Sequence, residues 1–219
     1  MNGAARRERL ARARLYLVME ARPHGADPSA LLEAALRGGV DVVQLRDKEL
    51  ADDELVAAAE PFRAACAAHG ALFVLNDRPD LVAACDADGV HVGQEDTPAA
   101  AARRAIGPER LLGVSTHSRE QMLAATEADY VGIGTIFATP TKPANDAAGL
   151  ELVRTAAATL TIPWFAIGGI DLGTVDEVVA AGARGVAVVR AIRDAEDPEA
   201  AARLLRAALP TVATTPRAG

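Results

Sequence analysis

The stretch GGVDVVQLRDK, residues 38–48, compresses a helix stop, an apolar strand and a polar strand exit into one unit. Gly38 stands where an alanine-rich helical segment has to end. Val40 to Leu45 is a short run rich in β-branched residues, the composition of a buried strand. In an extended chain Gln44, Arg46 and Lys48 fall on one side and Leu45 on the other, because successive side chains alternate. A strand set between helical segments pairs in parallel with its sequence neighbours, since the helices carry the chain back.

The same theme recurs outward from this unit. DADGVHV at 86–92, EADYVGI at 127–133 and GARGVAV at 182–188 repeat a Gly/Asp approach to an apolar run. Counting all such runs gives Leu15–Met19, Val40–Leu45, Leu72–Leu75, Gly89–Val92, Leu111–Ser115, Tyr130–Gly134, Trp164–Gly168 and Val186–Val189. Alanine-rich segments of helical spacing separate them. Asp27-Pro28, Thr97-Pro98 and Asp197-Pro198 read as caps followed by proline in the first turn, and Ser118 with Gln121 as a capping box. Gly38, Gly70, Gly107 and Gly182 read as helix stops. Eight strand–helix units in 219 residues predict an α/β protein, a single-domain (β/α)₈ TIM barrel over residues 14–209. Residues 1–13 are expected to be a flexible, arginine-rich arm and residues 210–219 a disordered tail.

Composition sets further bounds. Half of the residues are hydrophobic but only 3% are aromatic, so the core has to be built from Ala, Val, Leu and Ile. A net charge of −7 argues against nucleic acid or an anionic membrane as partner. It leaves room for small anionic substrates held by a few local cations. No segment has the length of a secretory or membrane-spanning stretch, and two scattered cysteines, Cys66 and Cys85, fit a reducing cytoplasm as small apolar residues. A cytoplasmic location is therefore expected.

In this barrel the strand C-terminal ends face the active site. The second exit offers Gln44, Arg46 and Lys48, the third Asn76 and Asp77, the fourth His91 and Asp96. Asp77 and Asp96 come from adjacent strands and suit a hard, oxygen-preferring ion such as Mg²⁺, which takes one or two carboxylates and completes its shell with water and phosphate. The fifth exit carries Ser115, with no acid and base arranged around it in sequence, so it reads as a hydrogen-bonding wall. The sixth leads into Thr139-Pro140-Thr141-Lys142, whose hydroxyls and ammonium form a candidate phosphate clasp. Residues 138–149 are long for such a connection and are expected to act as a lid. The seventh and eighth exits, Gly168-Gly169 and Val189-Arg190, occupy the common phosphate position of the fold.

Taken in order, QLRDK, NDR, HVGQED, GVSTHS, TPTK, IGGI and VVRAI resemble the thiamine phosphate synthase family over nearly the whole chain. The resemblance implies a transferase of thiamine biosynthesis. It joins 4-amino-5-hydroxymethyl-2-methylpyrimidine diphosphate to a thiazole phosphate, plain or carboxylated, and releases pyrophosphate. It implies that Gln44, Leu45, Arg46, Asp47, Lys48 and Asn76 bind the pyrimidine diphosphate and that Asp77 and Asp96 hold Mg²⁺. Ser115 and Lys142 would contact the pyrimidine or its diphosphate. Thr139, Pro140, Thr141, Gly169, Val189 and Arg190 would hold the thiazole phosphate. Arg46, Lys48 and Lys142 would be the catalytic cations. Many relatives carry a small polar residue where Arg190 stands.

Two alternatives share the fold. A thiazole phosphate isomerase-like or regulatory paralogue would bind without coupling, and such relatives tend to lack the aspartates and the TxTK clasp. A sugar phosphate isomerase would need a positioned acid–base pair or a two-histidine metal site.

Overall fold

The computed structural model of the protein describes residues 1–138 and 148–211. Its strands are β1 (Leu15–Met19), β2 (Val42–Leu45), β3 (Leu72–Asn76), β4 (Gly89–Val92), β5 (Leu111–Thr116), β6 (Tyr130–Ile133), β7 (Trp164–Ile167) and β8 (Val186–Val188). They close into a barrel in chain order, and β1 pairs in parallel with both β2 and β8. The helices are α1 (Gly3–Arg12), α2 (Ser29–Arg37), α3 (Asp52–His69), α4 (Ala99–Ile106), α5 (Arg119–Ala124), α6 (Gly149–Thr159), α7 (Val175–Ala180), α8 (Arg190–Arg193) and α9 (Pro198–Ala208).

Both faces of each strand are buried, as a parallel barrel requires. Leu15, Leu17, Met19, Val43, Leu45, Phe73 and Leu75 face the helices, in one large apolar shell. Tyr16, Val18, Val42, Leu72, Val74, Leu111, Tyr130, Phe165 and Ala187 form a separate core inside the barrel. Space for the rings there comes from a missing side chain. At Gly113 a Cβ would fall on Tyr130 Cζ and on His91 Nδ1.

The expected caps and stops are largely present. Asp197 accepts from Ala200 N at 2.9 Å with Pro198 opening α9, and Ser118 accepts from Gln121 N. Gly70 ends α3 in the left-handed conformation. At α2 and α4 the prolines themselves stand in the cap position, one residue later than the sequence suggests. The β3–β4 connection differs more: residues 79–86 form turns rather than a helix, with Val82 and Cys85 still buried. Cys66 and Cys85 are free and buried, and burial pushes both thiols up.

The N-terminal segment departs from its expected role as a flexible arm. Residues 3–12 are the ordered helix α1, capped by Asn2, and Leu10 closes the inner core from below. Two of its four arginines are received by carboxylates at the strand starts, while Arg9 donates to Gly70 O and Arg12 pairs with Glu8 on the helix surface. Arg6 Nε lies 2.8 Å from Asp88 Oδ1 and Arg7 Nε 2.7 Å from Asp129 Oδ1. These aspartates are the repeated Asp of the strand approaches. Asp41 accepts from the N–H groups of Arg14 and Leu15, Asp88 from Phe73 and Asp129 from Leu112. Each thereby ties the start of the preceding strand, and a basic side chain neutralises it. Arg6 is 6% exposed, so Arg6→Ala should cost on the order of 3 kcal/mol by stranding Asp88. The check is a melting curve, which should fall by several degrees; an unchanged midpoint would show the helix is dispensable.

Candidate active site

A cavity of about 1210 Å³ opens at the C-terminal ends of the strands. Its floor is aromatic and polar: Tyr16, Tyr130 and Phe165 with Gln44, His91 and Ser115. Phe165 meets both tyrosines edge-on, with ring centroids 5.2 and 5.8 Å away. The rim carries Arg46 from the β2 exit and Arg190 from the β8 exit, both exposed. Neither guanidinium enters an ion pair among the described residues, although most other arginines do. Unpaired cations lining a cavity suit an anionic ligand.

Beside Asn76, which lines the cavity, the two expected aspartates do converge. Lys48 Nζ is 2.9 Å from Asp77 Oδ2 and 3.9 Å from Asp96 Oδ1. Asp77 is half-buried, and desolvation raises its carboxyl above the usual range; Lys48 opposes that rise and neighbouring Asp96 adds to it. Its backbone sits at φ 60°, a conformation that aspartate tolerates better than most residues and that gathers at functional sites. Asp96 is steadied through Oδ2, which accepts from Gly93 N at 2.9 Å. Among the described residues no group of three metal-ligating side chains forms. Two carboxylates crowded on one ammonium nevertheless fit a hard divalent ion whose remaining ligands are water and phosphate.

At the β7 exit, Gly168 and Gly169 have φ of 109° and 65°. A Cβ on Gly169 would lie 2.8 Å from Phe137 Cβ, so only glycine lets the β6 and β7 exits approach this closely. Gly169 and Val189 line the cavity between them.

Three residues expected to bind substrate, Leu45, Asp47 and Lys48, are not among those lining the cavity, Lys48 being turned to Asp77 and Asp96. Leu45 is fully buried against the helix layer, as alternation from Gln44 demands. The Asp47 carboxylate accepts from Ala21 N and Glu49 N, both at 3.3 Å, and so ties the loops after β1 and β2 together. Thr139, Pro140, Thr141 and Lys142, with the rest of 139–147 in the loop expected as a lid, lie outside the described residues, as does the tail from 212 onward.

Ser115 has a partner the linear sequence did not reveal. His91 Nε2 is 2.9 Å from its Oγ, while His91 Nδ1 faces Tyr130 Oη at 3.2 Å. The pair resembles a nucleophile with its base, but the chemistry opposes that role. Burial pushes the His91 imidazole down to about 4, partly offset by Asp96, and a phenol rather than a carboxylate sits behind it. An imidazole whose burial disfavours its charged form, with no carboxylate to stabilise the imidazolium, is poorly equipped to take a proton from a serine. Tyr16, Tyr130 and His117 are cavity residues without a sequence signal of their own; stepping back by two from Gly132 along β6 would have placed Tyr130 on the inner face.

Comparison with known proteins gives a consistent result. Residues 15–192 match the model of a family described as thiamine monophosphate synthase. A thiamine-phosphate synthase of Streptomyces avermitilis is 51% identical over 200 residues, covering 90% of this chain and 93% of that protein. One from Thermobifida fusca is 51% identical over 204 residues, covering 91% and 94%. A solved thiamine phosphate pyrophosphorylase from Pyrococcus furiosus superposes with a TM-score of 0.82 at 34% identity, covering 91% of this chain and 96% of that one.

Proposed function

Because the chain belongs to the thiamine monophosphate synthase family, an enzyme family of transferases, we propose that it couples 4-amino-5-hydroxymethyl-2-methylpyrimidine diphosphate to 4-methyl-5-(2-phosphoethyl)thiazole, or its carboxylated form, giving thiamine phosphate and pyrophosphate. The observation that carries the substrate assignment is the gathering of Asp77, Asp96 and Lys48, where Asp77 directly follows Asn76 in the chain and Lys48 closely follows Arg46. Asn76 and Arg46 line the cavity, and the Arg46 guanidinium is in no ion pair among the described residues.

Such a site is equipped for departure of an anion. The C–O bond between the pyrimidine methylene and the diphosphate breaks, and its electron pair leaves with pyrophosphate. The cationic methylene carbon is stabilised by the electron-rich aminopyrimidine, and the thiazole nitrogen supplies the pair for the new C–N bond. Arg46 and Lys48 neutralise the leaving group, which is the electrostatic work that accelerates such a step. Asp77 and Asp96 would hold Mg²⁺, which supplies further charge neutralisation of the diphosphate when bound. Gln44, Asn76 and Ser115 orient the pyrimidine half. Gly169, Val189 and Arg190 hold the thiazole phosphate, together with Thr139 to Lys142. The hydroxyls of the floor tyrosines are tied up in hydrogen bonds to Gln44, to each other and to His91, which leaves them less free to hold a water against the cation.

A paralogue that binds without coupling would have no use for two carboxylates converging on a cation. The direct test mixes the protein with both precursors and Mg²⁺. Thiamine phosphate and pyrophosphate in equal amounts are expected, and saturable thiazole phosphate binding without either product would favour the non-coupling paralogue.

A further inference from the structure

Five polar side chains form one hydrogen-bonded line across the cavity floor: Gln44, Tyr16, Tyr130, His91 and Ser115. The coupling chemistry uses only its two ends. The middle is two buried phenols and a partly buried imidazole, and counting their donors gives the line a direction.

Gln44 Nε2 can only donate, so Tyr16 Oη accepts from it at 2.9 Å. Tyr16 is 2% exposed, and no buried side-chain polar atom among the described residues lacks a partner. The Tyr16 proton therefore goes to its other neighbour, Tyr130 Oη, at 2.9 Å. Tyr130, accepting on that side, donates to His91 Nδ1 at 3.2 Å. A ring nitrogen that accepts carries no proton, so the His91 proton sits on Nε2 and is donated to Ser115 Oγ at 2.9 Å. Ser115 accepts from below, and its own hydroxyl hydrogen is left for the cavity. At the far end Nε2 of Gln44 is committed to Tyr16, and among the described residues Oε1 has no partner, which leaves it as an acceptor. Packing confines the middle of the line: Tyr130 and His91 fill the space where side chains of Gly113 and Gly132 would otherwise stand. The Tyr130 ring lies 6.0 Å from Tyr16, 5.8 Å from Phe165 and 5.5 Å from His91, centroid to centroid.

We propose that Tyr16, Tyr130 and His91 are positioning residues that fix the hydrogen-bond polarity of the site, with an acceptor at Gln44 and a donor at Ser115. That polarity matches a heteroaromatic ligand with an exocyclic amino group and an unprotonated ring nitrogen, a choice of ligand that rests on the proposed pyrimidine substrate. Burial pushes both phenols up, so the middle of the line keeps its protons at any working pH. A Gln44 amide turned the other way would reverse every bond and move the His91 proton to Nδ1. The tautomer of one residue thus reports the direction of the whole line.

The experiment is nitrogen NMR on the full chain with labelled histidine, the His91 signals being assigned by replacing His24, His69 and His117 singly with Gln. The ligand-free protein should show His91 as the Nε2–H tautomer. Tyr130→Phe keeps the ring packing and should give a mixture of both tautomers. In parallel, wild type should bind 4-amino-2,5-dimethylpyrimidine about tenfold or more tighter than the matching pyrimidin-4-one, the scale of one mismatched buried hydrogen bond. Tyr130→Phe should erase most of that preference and leave thiazole phosphate binding unchanged, which a general loss of structure would not do. If Tyr130→Phe fails to fold, Tyr16→Phe interrupts the same line one step earlier. An Nδ1–H tautomer in wild type, or a preference that survives both substitutions, overturns the proposal. Should the coupling assay fail while the tautomer and the preference are as expected, the polarity stands and the coupling reaction alone is lost.

Discussion

Asp77→Asn and Asp96→Asn should each lower turnover on the order of 10²-fold or more and flatten its dependence on Mg²⁺, while leaving the barrel folded. Each substitution removes one negative charge from the pair that converges on Lys48. A single remaining carboxylate binds a hard divalent ion more weakly, because the protein contributes few ligands and charge matters most there. The fold survives for separate reasons at the two positions. Burial raises the Asp77 carboxyl, so the metal-free protein holds that charge at a cost, and a neutral amide relieves it. At Asp96 an amide oxygen can still accept from Gly93 N. The measurement is turnover against Mg²⁺ concentration, with a melting curve as control. Full activity of either variant in excess chelator would sink the metal assignment.

Arg46→Ala and Lys48→Ala should each lose on the order of 10²-fold in rate, the scale of removing one preorganised electrostatic stabiliser. Affinity for the thiazole phosphate should barely move, because its proposed contacts lie at the exits of β6 to β8. The two variants part company on stability. Arg46 is exposed and unpaired among the described residues, so its loss should leave the melting point within about a degree. Lys48→Ala removes the ammonium shared by Asp77 and Asp96, and the metal-free protein should melt lower until Mg²⁺ is added back. Titration of each ligand separately by calorimetry decides the matter. If both variants lost thiazole phosphate affinity and kept normal diphosphate binding, the division of the site between its two halves would be wrong.

The barrel, and which side chains gather at its candidate site, were partly legible in the linear chain. The eight apolar runs are the eight strands, and no strand boundary moves by more than two residues from where composition and turn signals put it. Alternation placed Gln44 inside and Leu45 outside, and adjacency of the third and fourth exits brought Asp77 to Asp96. These are local properties: a strand's period of two is set by the backbone, and neighbouring strands in a βα repeat pair in order.

What local pattern could not supply is which side chains meet across the barrel or below it. Arg6 and Arg7 of α1 look like part of a solvated arm until Asp88 and Asp129 come up beneath them. The repeated Asp before β2, β4 and β6 looks like turn chemistry until it is seen to hold the start of the preceding strand. Asp47 looks like a member of the polar exit, yet it bonds to Ala21 on the neighbouring loop. The line from Gln44 to Ser115 draws on strands β2, β1, β6, β4 and β5, and their order along that line is not their order in the chain. Closure decides such contacts, because the register between eight strands sets which inward residues share a layer, and register belongs to the assembled barrel rather than to any segment of it.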